Sequence, residues 1–527
     1  AHMIMWLMSD RAIPRSYRMM EGFGVHTFRL INDKDESHFV KFHWKPLLGV
    51  HSVAWDEAQK ISGKDPDFHR RDLWEAIENG HFPEWELGVQ IVPEADEHKF
   101  EFDLLDPTKI IPEEIVPVQR IGKLTLNRNP DNFFAETEQV AFHIGHVVPG
   151  IDFTNDPLLQ GRLFSYTDTQ LIRLGGPNFH EIPINRPVVT VHNNQRDGFM
   201  RQQINKGRSS YSPNSTGGGC PFQAGKMKGG FTSHAERIDA RKVRERSESF
   251  FDHFSQARLF FNSQSEPEKN HIVDAFSFEL GKVVTKEIRE RMLGILSLVD
   301  KHLAAQVAYK LGLHIPASLE KPINHVRPAD ADPDSYEPVQ KESSLQESAA
   351  LSMANTVKDS IKSRMIAILV ADGVDAKAVI ALQDNLMDEG ALVDIVAPRL
   401  GVAIAEDDTI VPVNQSFLTT ASVMYDALYI PGGTNSVATL AGDPDAIHFI
   451  NEAYRHCKAI AADPQADQVL EGTYFYKKVT AGADAMDEAT ASGVIIQSDL
   501  SVLSRMFIDA IKQHRFWDRE VARKVPA

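Results

Sequence analysis

The sequence predicts an α+β protein in which an antiparallel sheet, a long irregular segment and a helical unit precede a separate α/β domain. Three observations carry this. Short runs with alternating apolar residues fill the first part of the chain. Helical spacing dominates Glu266–Leu313. After Ser363, short apolar strands alternate with helices, the pattern of a doubly wound parallel sheet.

His26-Thr27-Phe28-Arg29-Leu30 and Phe39-Val40-Lys41-Phe42 read as two arms of a hairpin with its turn at Asn32–Asp35. Trp85–Val92 and Phe100–Leu104 read as a second pair around the acidic turn Glu94–Glu97, and Ser52–Asn79 as helical. So few strands close a barrel poorly, so residues 1–114 are expected to form part of one. Residues 115–264 are rich in Pro, Asn, Gly and Asp and read as a wrapping segment. In residues 265–314, Val273, Phe276, Leu280 and Val283 set a helical stripe that Ile288, Met292, Ile295, Val299 and Leu303 continue. Residues 315–363 have linker composition. In residues 364–527, Met365–Val370, Ala391–Val396, Ala427–Ile430, Ala459–Ala462 and Val494–Gln497 are the expected strands, with a helix at Val374–Glu389.

With 527 residues, 42% hydrophobic and 24% charged, the chain is large enough for two or three globular domains. A net charge of -17 argues against nucleic acid and anionic membranes as partners, while leaving room for a local basic pocket. Cys220 and Cys457 lie far apart with no CxxC, which points to a reducing, cytoplasmic setting. Neither a bilayer-spanning run nor a signal-peptide pattern is legible.

The chemistry concentrates in Gly161-Arg162-Leu163-Phe164-Ser165-Tyr166-Thr167-Asp168-Thr169-Gln170, followed by Arg173-Leu174-Gly175. On a helix, Arg162 and Tyr166 share one face a turn apart. A tyrosine with its ordinary pKa of about 10 stays protonated at neutral pH. A neighbouring guanidinium and a metal cation together favour the phenolate, a hard ligand for ferric iron. Arg173, about two turns further on, suits a carboxylate. Taken alone, an Arg and a Tyr at this spacing are more often a surface or core-edge pair.

The run from Arg162 to Thr169 resembles the proximal haem-ligand signature of the monofunctional catalases. Ile121-Gly122-Lys123-Leu124-Thr125-Leu126-Asn127-Arg128-Asn129-Pro130, Phe23-Gly24-Val25-His26-Thr27-Phe28, Phe42-His43-Trp44-Lys45 and Ser9-Asp10-Arg11-Ala12-Ile13-Pro14 are also similar to motifs of that family. The likeness covers about residues 1–313, and the added α/β domain matches the large-subunit branch. Haem iron held by tyrosine is the general arrangement of catalases, and the assignment of the ligand rests on that arrangement rather than on spacing. The resemblance implies a catalase-type barrel portion and a haem of b or modified d type. Its implied activity is disproportionation of hydrogen peroxide in response to oxidative stress, by a homotetramer of the complete protein. It makes Tyr166 the metal ligand and Arg162 the partner of its phenolate. His26 and Asp156 continue the network behind that arginine, and Arg173 binds a propionate. His143 falls where some large-subunit members join a histidine covalently to the ligand tyrosine, although His143 and His146 also read as two loop histidines.

The resemblance places the distal histidine and asparagine upstream of Ser9, so the chain is expected to hold the proximal half of the site and the catalytic distal residues are unknown. The opening Ala1-His2-Met3 reads as a cloning remnant or as the start of a fragment. A second reading follows, an inactive or weakly peroxidatic haem-binding remnant. Some small-subunit catalases bind NADPH, and Ser9, Arg11, His43 and Lys45 fit that pattern. Glu21 and Glu113 would repel its phosphates and Ile111 replaces an aromatic, so NADPH is not expected. The C-terminal domain resembles the flavodoxin-like fold of class I amidotransferase-like proteins. It has Asp463-Pro464 where they carry a nucleophile, so a structural role is expected, with Cys457 as a packing residue.

Overall fold

A computed structural model of the chain describes residues 2–189, 191, 195–217, 221–222, 224–239, 241, 243, 245–480 and 490–522. Cys220 lies outside the described residues. The first half is built on an antiparallel sheet of β1 (Gly22–Phe23), β2 (Phe28–Ile31), β3 (Ser37–Pro46), β4 (Glu84–Pro93), β5 (Gln119–Thr125) and β6 (Ile151–Asp152). Its order is β5-β4-β3-β2-β6, with β1 also pairing β3. The expected hairpin is β2–β3, in register from Phe28 opposite Val40 to Ile31 opposite Ser37. Asn32 shapes its turn by accepting from the amides of Lys34 and Glu36, each at 2.9 Å.

The second expected pair differs. β4 pairs with β3 and with β5, and Phe100–Leu104 forms no strand. That segment is held by apolar anchors instead. Phe100, Phe102 and Leu105 pack on a core of Phe39, Val92, Leu104 and Ile111, and Asp103 bends the chain by accepting from the Leu105 amide. β4 and β5 slip register between Leu87 and Gly88, where a Cβ would stand 2.3 Å from Val118 Cγ1, so glycine admits the bulge.

Between β3 and β4 lie α2 (Trp55–Lys64) and α3 (Phe68–Glu78). The wrapping segment contains α4 (Pro157–Arg173), which carries the candidate ligand. α5 (Glu248–Phe251) and α6 (Ser255–Ser263) then lead to α7 (Glu266–Gly281), α8 (Lys286–Val299) and α9 (Lys301–Leu311). Val273, Phe276, Leu280, Val299 and Leu303 of the predicted stripe are buried there, packed with Met5 of α1 (His2–Leu7). Residues 315–363 hold short 3-10 turns but no longer element, and they lie against the first half.

The last part is a parallel sheet ordered β11 (Gln415–Ser416), β8 (Leu392–Ala397), β7 (Met365–Leu369), β12 (Ala427–Ile430), β13 (Ala459–Ala462), β14 (Val494–Ile496). Leaving out β11, this is the flavodoxin-like order. Ile366 and Ile368 face one apolar cluster while Ala367 and Leu369 face the other. Burial on both faces is why these strands read as continuous apolar runs. A side hairpin, β9 (Gly401–Ile404) with β10 (Ile410–Val413), extends the domain.

The two halves meet across buried charge. Arg15 bonds Asp426, Arg515 and Lys458 reach Glu57, and His514 Nε2 lies 2.5 Å from the Ser52 carbonyl. Among the described residues no helix is long and apolar enough to cross a membrane.

Candidate functional site

α4 starts at Asp156, whose Oδ1 accepts from the Leu158 amide at 2.8 Å, with Pro157 next to it. A carboxylate cap and a proline pre-set for helical φ fix where this helix begins. The other Asp156 oxygen meets His26 Nδ1, from the loop before β2, and both side chains are fully buried. One turn into the helix, Arg162 Nη2 donates to the Tyr166 hydroxyl oxygen at 2.8 Å. The guanidinium carbon stands 4.7 Å from the Tyr166 ring centre. Asp156–His26 and Arg162–Tyr166 are therefore both formed. No bond joins the two pairs among the described residues, and His26 Nε2 is buried without a hydrogen-bond partner.

His143 is brought against the same helix. Its ring stands edge-on to Tyr166 at 6.3 Å between centres and stacks on His146 at 5.0 Å. Its Nε2 pairs with Thr167 Oγ1 at 2.8 Å and its Nδ1 accepts from the Gly145 amide at 2.8 Å. Both nitrogens are engaged away from Tyr166. Burial, with the charge of His143 second, lowers the His146 pKa below the ordinary imidazole value.

Arg173 closes the helix and clamps the chain before it. It donates to the carbonyls of Glu138, at 2.8 Å, and Val140, and to Gln170 Oε1 through Nε and Nη2. An arginine carries five N–H donors. The four bonds use four of them and leave one hydrogen on Nη1.

The surface around this helix is apolar and open. Phe164 is 78% exposed and Phe142, whose carbonyl accepts from Gln170 at 3.0 Å, is 75% exposed. Exposed apolar area of this kind marks a binding face. A phenol oxygen held by a guanidinium, an apolar surround and a spare guanidinium hydrogen fit a flat apolar macrocycle bearing carboxylates. Among the described residues no three His, Cys, Asp or Glu side chains gather to hold a metal ion. Tyr166 and Arg173 are the residues here that could hold such a group.

Lys41 carries no motif that marks it in the sequence. It is buried on β3 on the same face as Phe39 and His43, and donates to the Lys109 carbonyl at 2.7 Å. Burial lowers its pKa to about 8, against the charges of Asp106 and Asp156. The available signal is a lysine on the inward beat of an apolar strand.

Three family descriptions match in sequence order. Residues 1–218 match the catalase family, 247–311 the catalase-related immune-responsive family and 362–521 the C-terminal domain found in long catalases. The chain is 51% identical to a catalase of Alkalihalophilus pseudofirmus, covering 98% of this chain and 71% of the relative. It is 54% identical to catalase HPII of Pseudomonas putida, covering 100% and 70%. It is 51% identical to catalase-2 of Bacillus subtilis, covering 99% and 71%. The chain belongs to the catalase family. Within it, the C-terminal match and the flavodoxin-like sheet set the chain in the long, large-subunit branch.

Proposed function

We propose that this enzyme disproportionates hydrogen peroxide to water and oxygen at a haem held by Tyr166. The observation that carries the assignment of the ligand is the 2.8 Å bond from Arg162 to the Tyr166 hydroxyl. The guanidinium holds the phenol oxygen in one place on α4. Asp156 and His26 anchor the first turn, so the phenol sits on a helix whose start cannot drift. The remaining Arg173 hydrogen takes a propionate. When bound, the haem would supply a redox centre able to give two electrons to one peroxide and recover two from the next. Matches to relatives named catalases over 98–100% of the chain favour the enzyme over an inactive remnant.

The wider reading has the enzyme acting in oxidative-stress defence in the cytoplasm as a homotetramer. Exposed Val188, Val189, Phe199, Ile204, Phe222 and Met227 support self-association, since a second copy would cover them. Sedimentation at four times the 58.9 kDa chain mass is the expected result. NADPH has no place in this reading. Arg11 is paired with Glu21 at 3.0 Å and donates to the Ala350 and Leu351 carbonyls, Lys45 is paired with Glu21 and Glu113, and Ile111 is buried.

The test is an absorption spectrum of purified protein reconstituted with haemin, beside Tyr166→Phe. A ferric tyrosinate spectrum that the variant loses is expected. Equal haem uptake and the same spectrum in both would overturn the assignment.

A further inference from the structure

His271, on α7, has a carboxylate on each ring nitrogen. Nδ1 lies 2.7 and 2.9 Å from the two oxygens of Asp10, and Nε2 lies 2.5 Å from Glu520 Oε2. Asp10 stands near the start of the chain and Glu520 in the C-terminal 3-10 turn Trp517–Ala522. Ionised carboxylates only accept hydrogen bonds, and a neutral imidazole has one N–H to give. Both contacts are therefore hydrogen bonds only when the ring is a cation. With a neutral ring, one of the two becomes lone pair against lone pair.

The same C-terminal turn is tied to the α/β domain on its other side. Arg519 donates to the carbonyls of Ser492, at 2.6 Å, and Lys458, at 2.7 Å, and lies 4.4 Å over the Tyr454 ring. Trp517 packs edge-on to His271 at 4.9 Å. The turn thus straps the α/β domain to α7 and to the 3-10 turn Asp10–Ala12 that follows α1. We propose that His271 is a pH-operated latch: its cationic form docks the C-terminal turn, and alkaline pH releases it.

The surrounding charges agree. α7 also contributes Glu268, which acts on Asp10. From the 3-10 turn Asp10–Ala12, Arg11 is directed to Glu21 and to the carbonyls of residues 350 and 351. In the C-terminal turn Arg519 is committed as above and Asp518 is exposed. Asp10 and Glu268 also line a void of about 70 Å³ with His51, Lys358, His514 and Arg515. Burial by itself would lower the pKa of His271, but Asp10 and Glu520 outweigh it and raise it to about 10. A raised pKa means that the docking is fully present below the ordinary imidazole value of 6.5 and is lost as pH climbs from there to about 10. Each pH unit in that window weakens docking by up to about tenfold. Release frees Asp10 next to Arg11, which lines a cleft of about 430 Å³.

Hydrogen exchange of the peptide spanning residues 515–522, read in the intact chain, tests the latch. After correction for base-catalysed exchange, its rate is expected to rise by up to about a thousandfold between about pH 6.5 and about pH 9.5. His271→Arg, charged throughout, is expected to keep the peptide protected at both pH values. Glu520→Gln leaves the other carboxylate in place and is expected to lose protection at both. Equal protection of wild type and Glu520→Gln near neutrality would overturn the proposal. So would an alkaline loss that His271→Arg shares.

Discussion

Arg15 grips Asp426 with two hydrogen bonds, Nε at 2.6 Å and Nη2 at 3.0 Å, across 411 residues of sequence. The pair is buried and joins the loop before the sheet of the first half to the residue that leads into β12 of the parallel sheet. Asp426 also accepts from the Met365 amide at 2.9 Å, and Arg364 stands 3.8 Å away. Asp426 thus faces two buried guanidinium groups, sharing Arg15 with Asp72, which lies 3.7 Å from it.

Asp426→Asn should cost about 3–5 kcal/mol of stability, because it takes the carboxylate from beside buried Arg364 and leaves Arg15 only Asp72. Denaturant unfolding of the intact protein measures it. A loss within about 0.5 kcal/mol, the range of ordinary surface changes, would contradict the role given to the pair.

Acid should part the two halves. Glu57 is fully buried; burial by itself raises its pKa, but Arg515 and Lys458 outweigh that and hold it down to about 2, below its ordinary 4.5. A depressed carboxylate contributes stability that is complete above pH 4.5 and is lost as pH falls from there towards 2. Thermal midpoints scanned through this window should fall in the wild type. In Glu57→Gln they should begin lower and fall less steeply.

Arg162→Gln should weaken haem retention while leaving the fold intact. A hydrogen bond to a charged group is worth about 1.5–3 kcal/mol, so haem affinity should drop by about 10- to 150-fold. Haem transfer to an apoprotein acceptor reads the change, and circular dichroism checks the fold.

Asp156→Ala should cost about 2–4 kcal/mol, combining a lost helix cap with a buried His26 left unpaired. The Arg162–Tyr166 bond lies further along α4, so haem binding should fall by less than in Tyr166→Phe. Loss of binding equal to that of Tyr166→Phe would mean that the start of α4 is itself part of the ligand geometry.

Gly433→Ala should destabilise the α/β domain by more than about 1 kcal/mol. Gly433 has φ +117 after β12, and a Cβ there would stand 2.3 Å from the Gly373 carbonyl oxygen. Two loops at the carboxyl ends of neighbouring strands meet at this point, and only a residue without a side chain lets them close.

What the sequence by itself determined is local. The central parallel strands were legible because burial on both faces makes them apolar, as Ala427–Ile430 and Ala459–Ala462 are, whereas the edge strand Gln415–Ser416 carries no such run. Arg162 and Tyr166 were legible as a pair because a helix places residues four apart on one face. β5 was not legible as a strand: six of its seven residues are exposed, so no inward beat marks it. Phe100–Leu104 imitates a strand in sequence because its apolar residues anchor an irregular chain to Phe39 and Val92 rather than pairing with a neighbour. Tertiary structure alone decided Arg15 with Asp426, Glu57 with Arg515, and His271 between Asp10 and Glu520. Each of those charges looks like surface composition in sequence. Only folding removes them from water and brings a distant partner within hydrogen-bond reach, and burial then makes each pairing count.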